Sequence, residues 1–483
     1  MGFAGPPPLS RNPVRILWSD LSAERRVTAP FPPGETSPSV ARTRRMAFDP
    51  LPLLLESYER YGPVFTLRIF HSNVIFMLGP EANHYVTVSH PENFRWRDGH
   101  MGDLIPLLGD GLLTIDGDFH RRSRKVMLPA FHRERIAASV QTMVSEAERA
   151  MSTWRDGMRV DVYAWTRRLA MRIAMRALFG FEPTHRPAGA EDPAALFARA
   201  LRFYSRDYFM QVLRGPGTPF ARMQQARARL DSLIYAEIER RRRTGMRGED
   251  ILSLLIDARD EDERALSDPQ IRDEVMTLLF AGHDTTTSTV AFLFHELASH
   301  PEALERIVAE RDRVLGARAP SADQLFSGEM VELEMALDET LRMYPPAWVG
   351  PRRSVRDFEF AGCSVPGGVP VNYSSWATHH LPQVFPDPET FRPERFAPEA
   401  KAGLPKGAYV PFGAGSRICI GMRFGQLEIK AIAATLLSRF RLELAPGYRL
   451  RIRQMPTIGP RGGLWVTVRA RRDSAAPALA IAA

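Results

Sequence analysis

Two cysteines occur in 483 residues, and one of them, Cys419, sits in the stretch PFGAGSRICIG at 411–421. So sparing a use of cysteine argues against a disulfide framework and fits a reducing compartment, so a cytoplasmic location is expected. The loop leads into a long apolar segment, CIGMRFGQLEIKAIAATLLSRF, that reads as a helix. Backbone N–H groups at a helix start can donate toward a thiolate. Gly413, Gly415 and Gly421 permit tight turns and the close approach of a flat ligand. Arg417 offers a fixed charge to an anionic group such as a carboxylate. A cysteine serving as axial haem ligand needs this combination of a protected sulfur, hydrogen bonds to it and room for a macrocycle. An inert buried thiol is the usual fate of a lone cysteine. The company of Phe412, Gly415, Arg417 and Gly421 argues against that fate here.

The remainder of the chain can house such a site. A hydrophobic content of 44% with 25% charged residues permits a large core, and no apolar run approaches the ~18 residues of a membrane span. The net charge of +8 comes from arginines spread among acids, which describes a solvated basic surface or a face for an acidic protein partner rather than a nucleic-acid module. Residues 1–45, with GPPP and PFPPGE, read as an extended proline-containing arm. PLPLLLESYERYG reads as a helix, and VFTLRIF and VIFML as a hairpin. From about 134 to 345 the apolar spacing is helical, from 353 to 374 short strands return, and GGLWVTV reads as a strand. The tail 471–483 is expected to be disordered. The result is one large domain over 46–470, mainly α with a smaller β region (α+β).

The order Phe412-Gly413-x-Gly415-x-Arg417-x-Cys419-x-Gly421 resembles the cysteine loop of the cytochrome P-450 family of haem-thiolate monooxygenases. Three other segments carry the same resemblance. In LLFAGHDTTTSTVAFLF, Thr285 is placed to bond the carbonyl of Ala281 and open the helix locally beside Gly282. An acid followed by an alcohol, Asp284–Thr285, suits proton delivery, and the segment is similar to the family's oxygen-activating helix; His283 is expected to face away from the haem. In ALDETLRMYPP, Glu339 and Arg342 share a helix face, and with Arg395 of FRPERF they are similar to the family's structural Glu–Arg–Arg network. In DGDFHRRSRKVMLPAF, His120 and Arg124 share a helix face; the resemblance makes them haem-propionate partners, together with Arg352 or Arg353, of which spacing favours Arg352. Many family members carry a tryptophan where Phe119 and His120 stand.

The resemblance implies a cytochrome P-450 fold, a single large triangular haem domain, with haem b held by Cys419 and O2 as co-substrate. Phe412, Gly413, Arg417 and Gly421 would form the cofactor-binding loop. It implies a monooxygenase that hydroxylates or epoxidises a hydrophobic small molecule, with Asp284 and Thr285 as catalytic residues. Leu104, Leu108, Phe280, Ala281, Val349 and Ile458 are candidate substrate-pocket residues. No dinucleotide fingerprint, phosphate-binding loop or iron–sulfur spacing occurs, and too few residues follow Cys419 for a flavin or ferredoxin domain. Electrons are therefore expected from a ferredoxin or flavodoxin with its NAD(P)H-dependent reductase. The basic Arg121, Arg122, Lys125 and Arg423 are candidates to receive that partner. A haem-thiolate peroxygenase or isomerase and a non-catalytic haem-binding sensor are the alternatives.

Overall fold

The structure is a computed structural model that describes residues 6, 12–181, 191–204, 206, 208–246, 248, 250–259, 263–455 and 457–471. Its axis is the helix Asp268–Ser299, 32 residues long and so about 48 Å from end to end. The helix begins with a reciprocal Ser267–Gln270 capping box and Pro269 in its first turn, signals that fix a helix start. Between Ile271 and Leu297 nearly every residue is buried, as expected of a helix with apolar residues on all sides. Around it pack the helices Val162–Ile173, Pro219–Thr244, Val331–Met343 and Met422–Leu437.

The strands form four separate sheets among the described residues. A six-stranded mixed sheet has the order Gly34–Glu35, Val64–Ile69, Ser72–Met77, Pro370–Tyr373, Gly350–Ser354, Phe94–Arg95. Its hairpin aligns Phe65 with Phe76, whose rings stack 5.7 Å apart. Phe440–Leu444, Trp465–Ala470 and Arg159–Asp161 form a second sheet. The last of these falls inside the region expected to be helical. At three residues it is too short for an alternating pattern, and it exists because it pairs with the distant strand from Trp465.

Residues 1–45 are not simply an extended arm. Asn12 caps the helix Pro13–Arg26, Ser39 caps Val40–Phe48, and Gly34–Glu35 joins the sheet. Proline at the first helical position has no N–H to lose, so here it starts a helix instead of preventing one. Asp20 on the first helix hydrogen-bonds His71, ion-pairs with Arg353 and ties the segment to the sheet. The tail expected to be disordered lies, from 472 onward, outside the described residues. Among the described residues no helix is long and apolar enough to cross a membrane.

Glu339 and Arg342 are both 0% exposed. Arg342 Nε and Nη2 donate to the two Glu339 oxygens at 2.7 and 2.9 Å, and Arg395 Nε lies 3.3 Å from Glu339 Oε1. Arg342 also donates to the carbonyls of His379 and Pro388, and Arg392 N–H donates to Glu339. One buried carboxylate thereby joins the helix Val331–Met343 to the segment before the cysteine loop. Removing one partner of a buried pair leaves an uncompensated charge, so Arg342→Met is expected to lower stability by about 3–5 kcal/mol. Breaking the exposed pair Arg45–Glu56 should move the urea midpoint far less. Equal midpoints for the two variants would contradict the structural role.

Candidate functional site

The cysteine loop is shaped by its glycines. Gly413 and Gly415 have φ of 66° and 64°, in the left-handed region that glycine enters without strain. A Cβ at Gly415 would also run into the Thr87 carbonyl. Cys419 N–H donates to the Phe412 carbonyl at 2.9 Å, closing the loop on itself, and the helix Met422–Leu437 starts three residues later. Cys419 keeps accessible surface although protein surrounds it. That burial raises the thiol pKa, opposed by the Gly421 N–H bonded to the sulfur and by the nearby Arg124 charge.

Beside the loop lies a group of cations. Arg417 Nη2 meets Asp116 Oδ1 at 2.5 Å and the Ile115 carbonyl at 2.7 Å, so the charge expected to serve an external carboxylate is shared with one inside the chain. Burial, countered in part by Asp116, brings the Arg417 pKa down to about 10, with Arg352 and Arg124 adding to the decrease. Arg352 is buried and its guanidinium lies 3.7 Å from the Trp96 ring centre. Arg353, on the opposite face of the same strand, turns away to Asp20 and the Asp98 carbonyl. His120 is buried, and burial, Arg417 and Arg124 push its pKa down to about 3, which keeps it neutral near pH 7. Phe119 lies under Arg122 instead.

Trp96 and Asp116 are parts of this cluster that sequence reasoning missed. Asp116 accepts the N–H groups of Trp96 and Arg97 at 3.0 and 2.7 Å. The Trp96 ring also faces Arg417, and its Nε1 is buried without a hydrogen-bond partner. Neither residue belongs to a local pattern; the contacts run between segments distant in sequence.

Across the interior, the central helix presents Ala281, Gly282 and Thr285 with partial exposure amid buried neighbours. A Cβ at Gly282 would meet nothing within 4 Å. Thr285 Oγ1 donates to the Ala281 carbonyl at 2.6 Å, yet the helix stays continuous, so the expected local opening does not occur. Asp284 turns the other way. Its carboxylate pairs with Arg167 at 2.8 Å and accepts from Thr457 Oγ1 at 2.7 Å. Arg167 also reaches Tyr163 Oη, to which Arg453 donates in turn. No hydrogen bond joins the Asp284 and Thr285 side chains among the described residues. His283 bonds the Arg167 carbonyl at 2.9 Å and sits against Phe197. Thr286 contacts Glu428 at 3.3 Å, and burial raises that carboxyl's pKa to about 8, so this tie between the two helices is to a neutral acid at pH 7.

The pocket candidates divide. Leu104, Ala281 and Val349 keep accessible surface, and Phe280 retains 8%. Leu108 and Ile458 are both 0% exposed, which corrects their placement on the wall. Both are fixed into the core by their backbones: the Leu108 carbonyl holds Arg272, and the Ile458 carbonyl holds Ser288.

Residues 49–461 match the family described as Cytochrome P450. The chain is 35% identical over 451 residues to cyclooctat-9-en-7-ol 5-monooxygenase of Streptomyces melanosporofaciens, covering 91% of this chain and 95% of that protein. It is 31% identical over 354 residues to pentalenene oxygenase of Streptomyces avermitilis, covering 73% of this chain and 78% of the relative. Its fold matches retinoic acid bound cyanobacterial CYP120A1 with a TM-score of 0.83 at 30% identity, covering 92% of this chain and 100% of that one. The fold, the glycine-bounded cysteine loop and these likenesses agree: the chain belongs to the cytochrome P450 family, a haem b monooxygenase that uses O2 on a hydrophobic small molecule and takes electrons from redox partners.

Proposed function

We propose that this protein oxygenates a terpenoid, with Cys419 as the thiolate ligand of the haem iron and a ferredoxin or flavodoxin as the electron donor, in the cytoplasm. The observation that carries the site assignment is the pairing of an enclosed but accessible Cys419 with buried cations that Asp116 alone does not neutralise. Haem b brings two carboxylates, and the cluster matches them: Arg124, Arg352 and Arg417 supply charge, while neutral His120 and the unpartnered Trp96 Nε1 supply donors. Phe412, Gly413 and Gly421 shape the loop that would hold the ring. When bound, the haem supplies O2 binding and activation, which thiolate ligation favours.

The protein's own residues do the rest. The Gly421 N–H and Arg124 stabilise the negative sulfur against its burial. Ala281 and Gly282 leave room beside the helix, and Thr285 holds a hydroxyl at the edge of that room. Asp284 is proposed to move protons between the Arg167–Tyr163–Arg453 set and the interior, which requires it to exchange partners, since its carboxylate is held away from Thr285. The apolar surfaces of Leu104, Phe280 and Val349 exclude water and fit hydrocarbon. The terpenoid assignment is supported by the names of the cyclooctat-9-en-7-ol and pentalenene oxygenating relatives. The two free cysteines support the reducing cytoplasm.

Thr285→Ala is expected to bind haem and substrate normally while losing coupling. Peroxide released per product should rise on the order of tenfold, as for loss of a proton-handling group. Unchanged coupling would remove Thr285 from the mechanism. For the partner, exposed Lys125 and Arg423 lie on the two helices that flank the cysteine loop. Reversing both to Glu should slow reduction by an acidic ferredoxin roughly tenfold at low salt and leave substrate affinity unchanged. The difference should shrink as salt screens exposed charge. Stopped-flow rates indifferent to both salt and reversal would contradict this docking face.

A further inference from the structure

The helix Pro13–Arg26 packs with its acids turned inward and several of its apolar side chains turned out. The two acids, Asp20 and Glu24, are four residues apart and share a face. That face meets the protein. Asp20 hydrogen-bonds His71 at 3.0 Å and pairs with Arg353, while Glu24 accepts from Arg68 at 2.8 Å and from Asn73 at 2.6 Å. Val14 and Trp18, also four apart, are 61% and 62% exposed, and Leu17 between them is 37% exposed. A surface helix ordinarily does the reverse, placing its apolar stripe on the core and its charges in water.

The remaining charges of the helix are Arg15, Arg25 and Arg26. All three are exposed, and none forms an ion pair with a carboxylate among the described residues. The outward side thus carries positive charge with no acid beside it on the helix, in a chain whose net charge is +8. Arg25 lies seven residues beyond Trp18, two turns along the same side. A second copy docked symmetrically here would bring the same cations face to face, which like charges oppose. An anionic surface would be attracted. Tryptophan suits a membrane boundary, because its ring is apolar and its indole N–H polar. At 14 residues the helix is about 21 Å long, enough to lie along a bilayer surface, and no described helix is long and apolar enough to cross one.

We propose that this face docks the protein on an anionic lipid surface, with Val14, Leu17 and Trp18 entering the boundary between headgroups and acyl chains and Arg15, Arg25 and Arg26 meeting lipid phosphates. The docking does not depend on which substrate the enzyme takes; it would hold the enzyme where a hydrophobic molecule is dissolved. The test is sedimentation of the haem-loaded protein with vesicles of phosphatidylcholine alone, or of phosphatidylcholine and phosphatidylglycerol in equal parts. Partition onto the mixed vesicles is expected to be roughly tenfold stronger than onto the neutral ones, and the difference should shrink as salt is raised. Val14→Ser combined with Trp18→Ser should weaken binding to the mixed vesicles roughly tenfold. Arg25→Glu combined with Arg26→Glu should abolish the preference for them, and both altered proteins should keep the haem spectrum. Binding to neither vesicle, equal binding to both, or binding that survives the Val14 and Trp18 changes would overturn the proposal. So would a solution mass of two chains that falls to one in the Val14→Ser, Trp18→Ser protein, which would assign the face to a second copy.

Discussion

A sulfur enclosed by protein resists ionisation, and the protein around Cys419 raises its thiol pKa accordingly, although the side chain keeps accessible surface. A thiolate ligand is needed nonetheless, so the surroundings must favour the anion without flooding it with water. Much of the local architecture answers this need. The left-handed glycines Gly413 and Gly415 fold the loop tightly, the closing bond from Cys419 N–H to Phe412 fixes it, and Gly421 turns its N–H onto the sulfur. Arg124 adds a positive charge from a separate helix. A bound iron would complete the stabilisation, since coordination by a cation holds a thiol deprotonated.

The same economy of buried charge recurs farther out. Glu339 is enclosed by Arg342 and Arg395, Asp116 by Arg417 and two backbone donors, and Asp284 by Arg167 and Thr457. In each case one carboxylate joins segments distant in sequence, so buried polar groups define the relative placement of helices that apolar packing alone would leave interchangeable. The cation cluster around Arg352 is the exception. Among the described residues it has more positive groups than carboxylates to meet them, which suits the proposed binding of an anionic cofactor.

How much of this was legible in the sequence follows from the range of the interactions. The cysteine loop could be read because its glycines, Arg417 and Cys419 act on one another within eleven consecutive residues. The Glu339–Arg342 pair and the Thr285–Ala281 bond were legible for the same reason, being i, i+3 and i, i+4 contacts on one helix. Spacing in the sequence favours Arg352 over Arg353, and in the structure Arg352 lies over Trp96 while Arg353 turns to Asp20. Trp96 and Asp116 could not be found this way, since their partners lie far along the chain at Arg352 and Arg417. Nor could the partners of Asp284: the acid beside Thr285 was visible, but Arg167 and Thr457 draw it to the other side of the helix. Proline-rich composition misled at the N-terminus because the caps at Asn12 and Ser39 decide the local conformation. Leu108 and Ile458 misled because an apolar side chain near a site can equally be core.

The assignment of the site depends on which sulfur would meet the iron. The most direct measurement is the absorption spectrum of the reduced, CO-bound protein, compared among the unaltered chain, Cys419→Ala and Cys363→Ala. Cys363 lies in the short hairpin Phe358–Phe360 and Cys363–Val365. The red-shifted Soret band of thiolate ligation is expected in the unaltered protein and in Cys363→Ala, and should be absent from Cys419→Ala. A thiolate spectrum that persists in Cys419→Ala would contradict the assignment of the site.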